Sequence, residues 1–474
     1  MGPRNSLSRR RVVALTGALA TGSLAGCAGG ETADPSSATP TDESRTTTAG
    51  TPARTATETA HGTGLVDAIE REAVSFDPAP ASDGLDAVAA RLSESPLVGI
   101  GENSHGVAEF KTLVEQIVRR LVADHGYRLV AIEGTLGDFA AVNDYITGGG
   151  VDLDSAMAGL DFYFWRTAAI RGLFEWLREF NAGRPPADRA VVRGYDAQFF
   201  DVNATAVRSY LDRVDPAYLA AIDDDLRPLT EPLYERHDVE FVTESRTSLF
   251  GALRDRLRER RDAYVAASSV SEWRLIRRHL WTLERGLRFQ AHLSAEAYTR
   301  GKRIRDEAMA KNVAWLRDWT GAERAVVLGS SNHTMRNDGL GDDEAARMGH
   351  HLTRTFGDDY YSLGCLFGTG RFTAPTDSDR SAFATHDLDG PVPGTLAATL
   401  VDAARSPLFL DFESARDRPP VDALLDDTDR VQFSVPRAAK RGALPLSMAA
   451  DAVYDGVVFV RTASPASFSA ADGS

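Results

Sequence analysis

The chain predicts an α/β fold: a central, mostly parallel sheet flanked by helices, with a large helical insertion and antiparallel strands expected at an edge. Three observations carry this. Four short apolar runs, beginning at Leu97, Tyr127, Arg189 and Arg324, are each followed by amphipathic helical spacing, the alternation that builds parallel sheets. Residues 201 to 320 read as helix almost throughout. Beyond residue 359, the strand-like runs 360–367, 408–412 and 456–461 lack full-length crossover helices, as antiparallel neighbours allow.

The elements follow in order. Residues 1–27 hold paired arginines (Arg9, Arg10, Arg11), an apolar run from Val12 to Leu24 and then LAGC ending at Cys27. The apolar run is too short to span a bilayer, so the segment reads as an export signal. The arginines look like a twin-arginine signal, and LAGC resembles a lipoprotein cleavage site with Cys27 as the lipidated first mature residue. Residues 28–63 are Thr, Ser, Ala, Pro, Gly and Glu with almost no large apolar side chains. Such a stretch cannot bury enough surface to order itself and is expected to be a disordered tether. The globular part then spans 64–468, ample for a large core.

Within it, helical spacing covers 65–74 and 85–92, and Pro96 ends the second piece before the first strand. LVGIGENSHGVAEF (97–110) reads as strand, tight turn and helix, with Glu102 and His105 three residues apart at the strand's carboxyl end. The helical stripe from His105 stops at His125-Gly126. A second strand ends on Glu133. The aromatic run DFYFWRTAAIRGLFEWLREFN (161–181) has helical spacing and is chiefly core, with Phe162 and Trp165 set aside as candidates to line a substrate pocket. A third strand ends on Asp196, and the fourth delivers Ser330, Ser331, Asn332 and His333.

Composition narrows the function. A net charge of -15 argues against nucleic acid, which needs a basic footprint. Only two cysteines occur; with Cys27 lipidated, a disulfide framework and a cysteine-based zinc site are excluded, and Cys365 in its apolar run is a small core residue.

If the four strands are parallel, Glu102 with His105, Glu133, Asp196 and His333 converge on one crevice at the carboxyl edge of the sheet, where ligands bind in such folds. One carboxylate after a strand is usually a helix cap; repeated placement points to an active site. An imidazole moves protons near neutral pH, and a carboxylate orients it. There is no G-x-S-x-G elbow, no H-E-x-x-H and no G-K-[ST] phosphate loop, and the adjacent pair His350-His351 makes a poor chelate. Two chemistries stay open on these residues: direct activation of water by a His/Glu site, or a His/carboxylate metal site.

GENSHGVAEF, YRLVAIEG, VRGYDAQ, RIRDEAMAKNVAWL, VVLGSSNHTMR and MGHHLTRTFGDDYYSLGCLFGTGRF, in that order, resemble the erythromycin esterase family over nearly the whole globular part. The resemblance implies a hydrolase, non-serine, that opens a lactone or other carboxylic ester, with a role in the response to antibiotics. His105 matches the motif histidine and would be the general base; Glu102 would orient it. Glu133 would be a second acid/base or water-positioning group, and Arg305 would stabilise the oxyanion together with His333. Asp196 is expected to bind substrate. Ser330 and Ser331 stand where the family's H-N-x-H segment has its first histidine and its asparagine. No cofactor and no metal are required. The expected partners are a small-molecule ester and the outer face of the cell membrane, through the lipid anchor. The rival reading is a lipid-anchored metal- or haem-binding protein without catalysis.

Overall fold

A computed structural model describes residues 56–77, 83–231, 244–294, 297–336, 346–376, 383–391, 393–403, 405–426, 431–436 and 443–469. Cys27 and most of the stretch read as a tether lie outside the described residues. The first helix, Ala56–Glu72, begins earlier than the tether reading allowed. Its buried anchor is Ile69, and extending an anchored helix by further turns costs little compared with nucleating one.

The strands, in chain order, are β1 (Val74–Ser75), β2 (Leu97–Glu102), β3 (Leu129–Thr135), β4 (Val191–Asp196), β5 (Ala325–Ser330), β6 (Tyr360–Pro375), β7 (Phe383–Leu388), β8 (Leu408–Asp411), β9 (Val431–Pro436), β10 (Ala443–Ser447) and β11 (Gly456–Ala463). A central run of parallel strands has the order β4-β3-β5-β2-β6-β11. Antiparallel β8 and β1 extend it beyond β11, and β7 folds back on the distal half of β6. The α/β architecture with a parallel centre and antiparallel edge is therefore present. The run 456–461 is not one of the edge strands: it pairs in parallel with β6 and lies inside the sheet.

Buried on both faces, the central strands are apolar at nearly every position, and alternate residues feed two cores. Val98, Ile100, Val130, Ile132, Val326 and Leu328 face the helices Ala108–Asp124 and Ala168–Asn181. Leu97, Leu129, Ala131, Ala325 and Val327 face Met309, Val313 and Leu316 of the helix Tyr298–Thr320. That helix closes the insertion between β4 and β5, whose own core gathers Leu253, Tyr264, Leu280 and Leu283. It also packs against β4 and β3, which carries Arg305 and Asp306 to the sheet's carboxyl edge.

One glycine has a visible reason. A Cβ on Gly101 would stand 2.1 Å from Thr334 Oγ1, so only glycine lets the short turn Ser331–Thr334 fold back over β2.

Candidate active site

β2 and β5 run in register, Glu102 opposite Ser330, and β3 pairs with β5 up to Ile132 opposite Leu328. Glu102, Glu133 and the Ser330–His333 turn thus leave the sheet at one level. The helix after β2 starts at Ala108, not at His105. His105 sits in the intervening loop, pinned where the Gly106 carbonyl accepts from the Thr373 N–H (3.0 Å) and the Ala466 N–H (2.8 Å).

Two histidines are each held at Nδ1 by a buried carboxylate. His105 Nδ1 lies 3.0 Å from Glu102 Oε2, and His333 Nδ1 lies 2.5 Å from Asp306 Oδ1. With Nδ1 engaged, Nε2 is the nitrogen left for chemistry in both rings. His333 Nε2 stands 3.7 Å from Glu133 Oε1. The His105 side chain keeps 26% of its exposure, so a small molecule can reach it.

Glu133 is the hub. Its Oε2 accepts from the Ser330 N–H at 2.7 Å, its Oε1 from Arg305 Nη2 at 3.3 Å, and its backbone carbonyl from Trp165 Nε1 at 2.6 Å. Burial pushes its carboxyl toward the neutral form, but His333, His105 and Arg305 outweigh that and hold its pKa below the ordinary value. A carboxylate buried among cations stays ionised. The Ser330 N–H bond and the approach of His333 to Glu133 tie the ends of β3 and β5 into one site.

The structure brings together Glu102, His105, Glu133, Asp196, Arg305 and His333, yet several sit differently from expectation. Asp196 was expected to bind substrate; it is fully buried. Its Oδ1 accepts from Arg305 Nε (2.9 Å) and from the Ala197 and Gln198 N–H groups, and its Oδ2 accepts from Arg305 Nη2 (2.6 Å). It orients the arginine. Arg305 was expected to meet an oxyanion. Its Nε and Nη2 are instead committed to Asp196 and Glu133, a two-pronged clamp. Burial disfavours its charge, but Asp196 and Glu133 reverse the balance and raise its pKa.

Trp165, expected to line the pocket, does meet the site: its ring lies edge-on to His105 with centroids 6.4 Å apart. Trp165 and Phe162 are both buried, and Phe162 packs against Phe164 and Phe199. Phe164 meets the site face-on, stacked on His105 with centroids 3.8 Å apart and planes within 8°. The run 161–181 is not one helix. A 3-10 turn, Tyr163–Trp165, precedes a helix that starts at Ala168 because Thr167 caps it, its hydroxyl accepting from the Ile170 N–H. That break turns Phe164 onto His105.

Sequence reasoning missed three members of the site: Phe164, Lys111 and Asp306. Lys111 Nζ lies 2.6 Å from Glu102 Oε2. Asp306 pairs with His333 across the fold. Among the described residues, no group of three or more His, Cys, Asp or Glu side chains is arranged to hold a metal ion. Glu133 also has both oxygens engaged by donors.

A sequence model described as erythromycin esterase matches residues 122–463. An Escherichia coli protein named erythromycin esterase type II is 22% identical over 303 residues, 60% of this chain and 71% of that one. A putative hydrolase, YbfO, of Bacillus subtilis is 21% identical over 374 residues, 73% and 80% of the two chains. Among solved structures, a Bacillus cereus protein superposes with a TM-score of 0.72 at 18% identity, covering 86% of this chain and 99% of its own. A mutant of erythromycin esterase EreC in its open conformation gives 0.57 at 16% identity, covering 80% and 93%. At these identities the structural likeness shows the fold.

Proposed function

Because this chain belongs to the erythromycin esterase family, a family of hydrolases, we propose that it cleaves a lactone or other carboxylic ester by general-base activation of water at His105. The observation that carries the reading is the pair of carboxylate-held histidines flanking an ionised, buried Glu133.

In this scheme Glu102 fixes the tautomer in which His105 Nδ1 bears the proton. His105 Nε2 takes a proton from water oriented by Glu133 as the water oxygen bonds to the carbonyl carbon. Negative charge collects on the carbonyl oxygen, and His333, braced by Asp306, opposes it. As the carbonyl re-forms, the C–O bond to the alcohol portion breaks and His105 returns its proton to the departing oxygen. The products are an acid and an alcohol, and no cofactor enters. Arg305 and Asp196 act through Glu133: they hold its carboxylate in place. The family resemblance supports a lactone antibiotic as one substrate class. The signal-like N-terminus supports lipidation at Cys27 and a site of action on the outer face of the membrane.

His105→Ala should abolish turnover across a panel of macrolides, simple lactones and acylated sugars, a loss of at least ~10²-fold, with the circular dichroism spectrum intact. Retained hydrolysis by that variant would end the proposal.

A further inference from the structure

Lys111, on the helix Ala108–Asp124, is a charged side chain only 1% exposed. Lysine is almost never fully buried without a partner. Its ammonium lies 2.6 Å from Glu102 Oε2, the same oxygen that receives His105 Nδ1 at 3.0 Å. The same nitrogen stands 4.3 Å from the centre of the Trp165 ring and 5.5 Å from that of Phe164, and Phe164 is stacked on His105. One cation therefore touches both the carboxylate that orients the imidazole and the aromatic wall that confines it.

We propose that Lys111 is a positioning residue that sets the basicity of the His105–Glu102 pair. Part of Glu102's negative charge is balanced by the ammonium, so the imidazole is less strongly stabilised in its protonated form. His105 then releases its proton readily to the departing alcohol instead of being trapped as an imidazolium. The charged and titratable groups facing this pair are Glu102 on β2, Glu133 on β3 with Arg305 and His333 beyond it, and Cys365 on β6. Burial raises the Cys365 thiol pKa, which keeps it neutral. Burial also lowers the Lys111 pKa, opposed by Glu102, so the ammonium depends on that contact.

The catalytic consequence rests on the hydrolytic reading above, whereas the electrostatic claim is measurable without turnover. Diethyl pyrocarbonate modifies neutral imidazole, and mass spectrometry of the peptide containing His105 gives its modification rate against pH. In the full chain, Lys111→Met and Lys111→Gln should move the midpoint of that profile up by about one pH unit, since removing a nearby positive charge favours the imidazolium. Lys111→Arg should stay near wild type. If wild type hydrolyses p-nitrophenyl butyrate, the neutral variants should lose about tenfold in kcat with KM little changed, and the acid limb of the rate profile should move upward too. An unmoved midpoint in a folded neutral variant would overturn the proposal. So would failure of both neutral variants to fold while Lys111→Arg folds, which would make the lysine a packing element. A shifted midpoint with no ester hydrolysis by wild type would uphold the role of Lys111 and sink the hydrolytic reading instead.

Discussion

The site is built from two histidine–carboxylate pairs of different sequence range. His105 and Glu102 are three residues apart, so one loop brings them together and a reader of the chain can see it. His333 and Asp306 are 27 residues apart on separate elements, and no local spacing announces the pair. Asp306 is fully buried and also accepts from the Met348 N–H at 3.2 Å. Burial pushes its carboxyl up, but His333, Arg347 and Lys302 outweigh this and hold it below its ordinary value of 3.8. A carboxylate whose pKa is depressed by folding adds stability above its unfolded value, and that stability drains away as pH falls toward the folded one. Asp306→Asn should therefore cost about 3–5 kcal/mol at pH 7, as removal of one partner from a buried pair does. The gap between the unfolding curves of variant and wild type should narrow below about pH 4. A gap that is constant from pH 7 to pH 3 would show that the charge on Asp306 is not what stabilises the fold.

At the scale of elements, the loop between β2 and the helix Ala108–Asp124 decides where His105 stands. Hydrophobic period predicts the strand and the helix, but not that the helix waits until Ala108. That delay comes from β6 and the C-terminal segment, whose Thr373 and Ala466 N–H groups both bond to Gly106. The contact is so close that a Cβ on Gly106 would lie 1.7 Å from the Thr373 carbonyl oxygen. Gly106→Ala must push the loop off the sheet, and a loss of about 1–3 kcal/mol in chemical unfolding is expected, the usual cost of overpacking. Activity should fall with it, because His105 moves together with its neighbour. Unchanged stability and turnover would mean that the loop has slack that this packing does not suggest. The break at Thr167 is the same kind of event. The aromatic spacing of 161–181 suits a helix, and one capping hydroxyl outcompetes it and swings Phe164 over the imidazole.

At the scale of the whole molecule, the sheet order places β5 between β2 and β3 and β2 beside β6, which gathers segments about two hundred residues apart into one site. The proposed lipid anchor belongs to this scale too: a globular hydrolase held at the membrane surface through Cys27. Expressed with its native leader, the protein should sediment with membranes, and Cys27→Ser should release it into the soluble fraction. Wild-type protein that stays soluble would remove the anchor from the account. The chain by itself determined the alternation of strand and helix, and with it the carboxyl-edge placement of Glu102, His105, Glu133 and His333, because burial on both faces of a parallel sheet writes continuous apolar runs into the sequence. The tertiary structure alone decided which groups are committed inward. Asp196 and Arg305 became a buried clamp, Asp306 the brace of His333, and Phe164 the ring on His105, since ion pairing and stacking depend on distances that spacing along a chain does not encode.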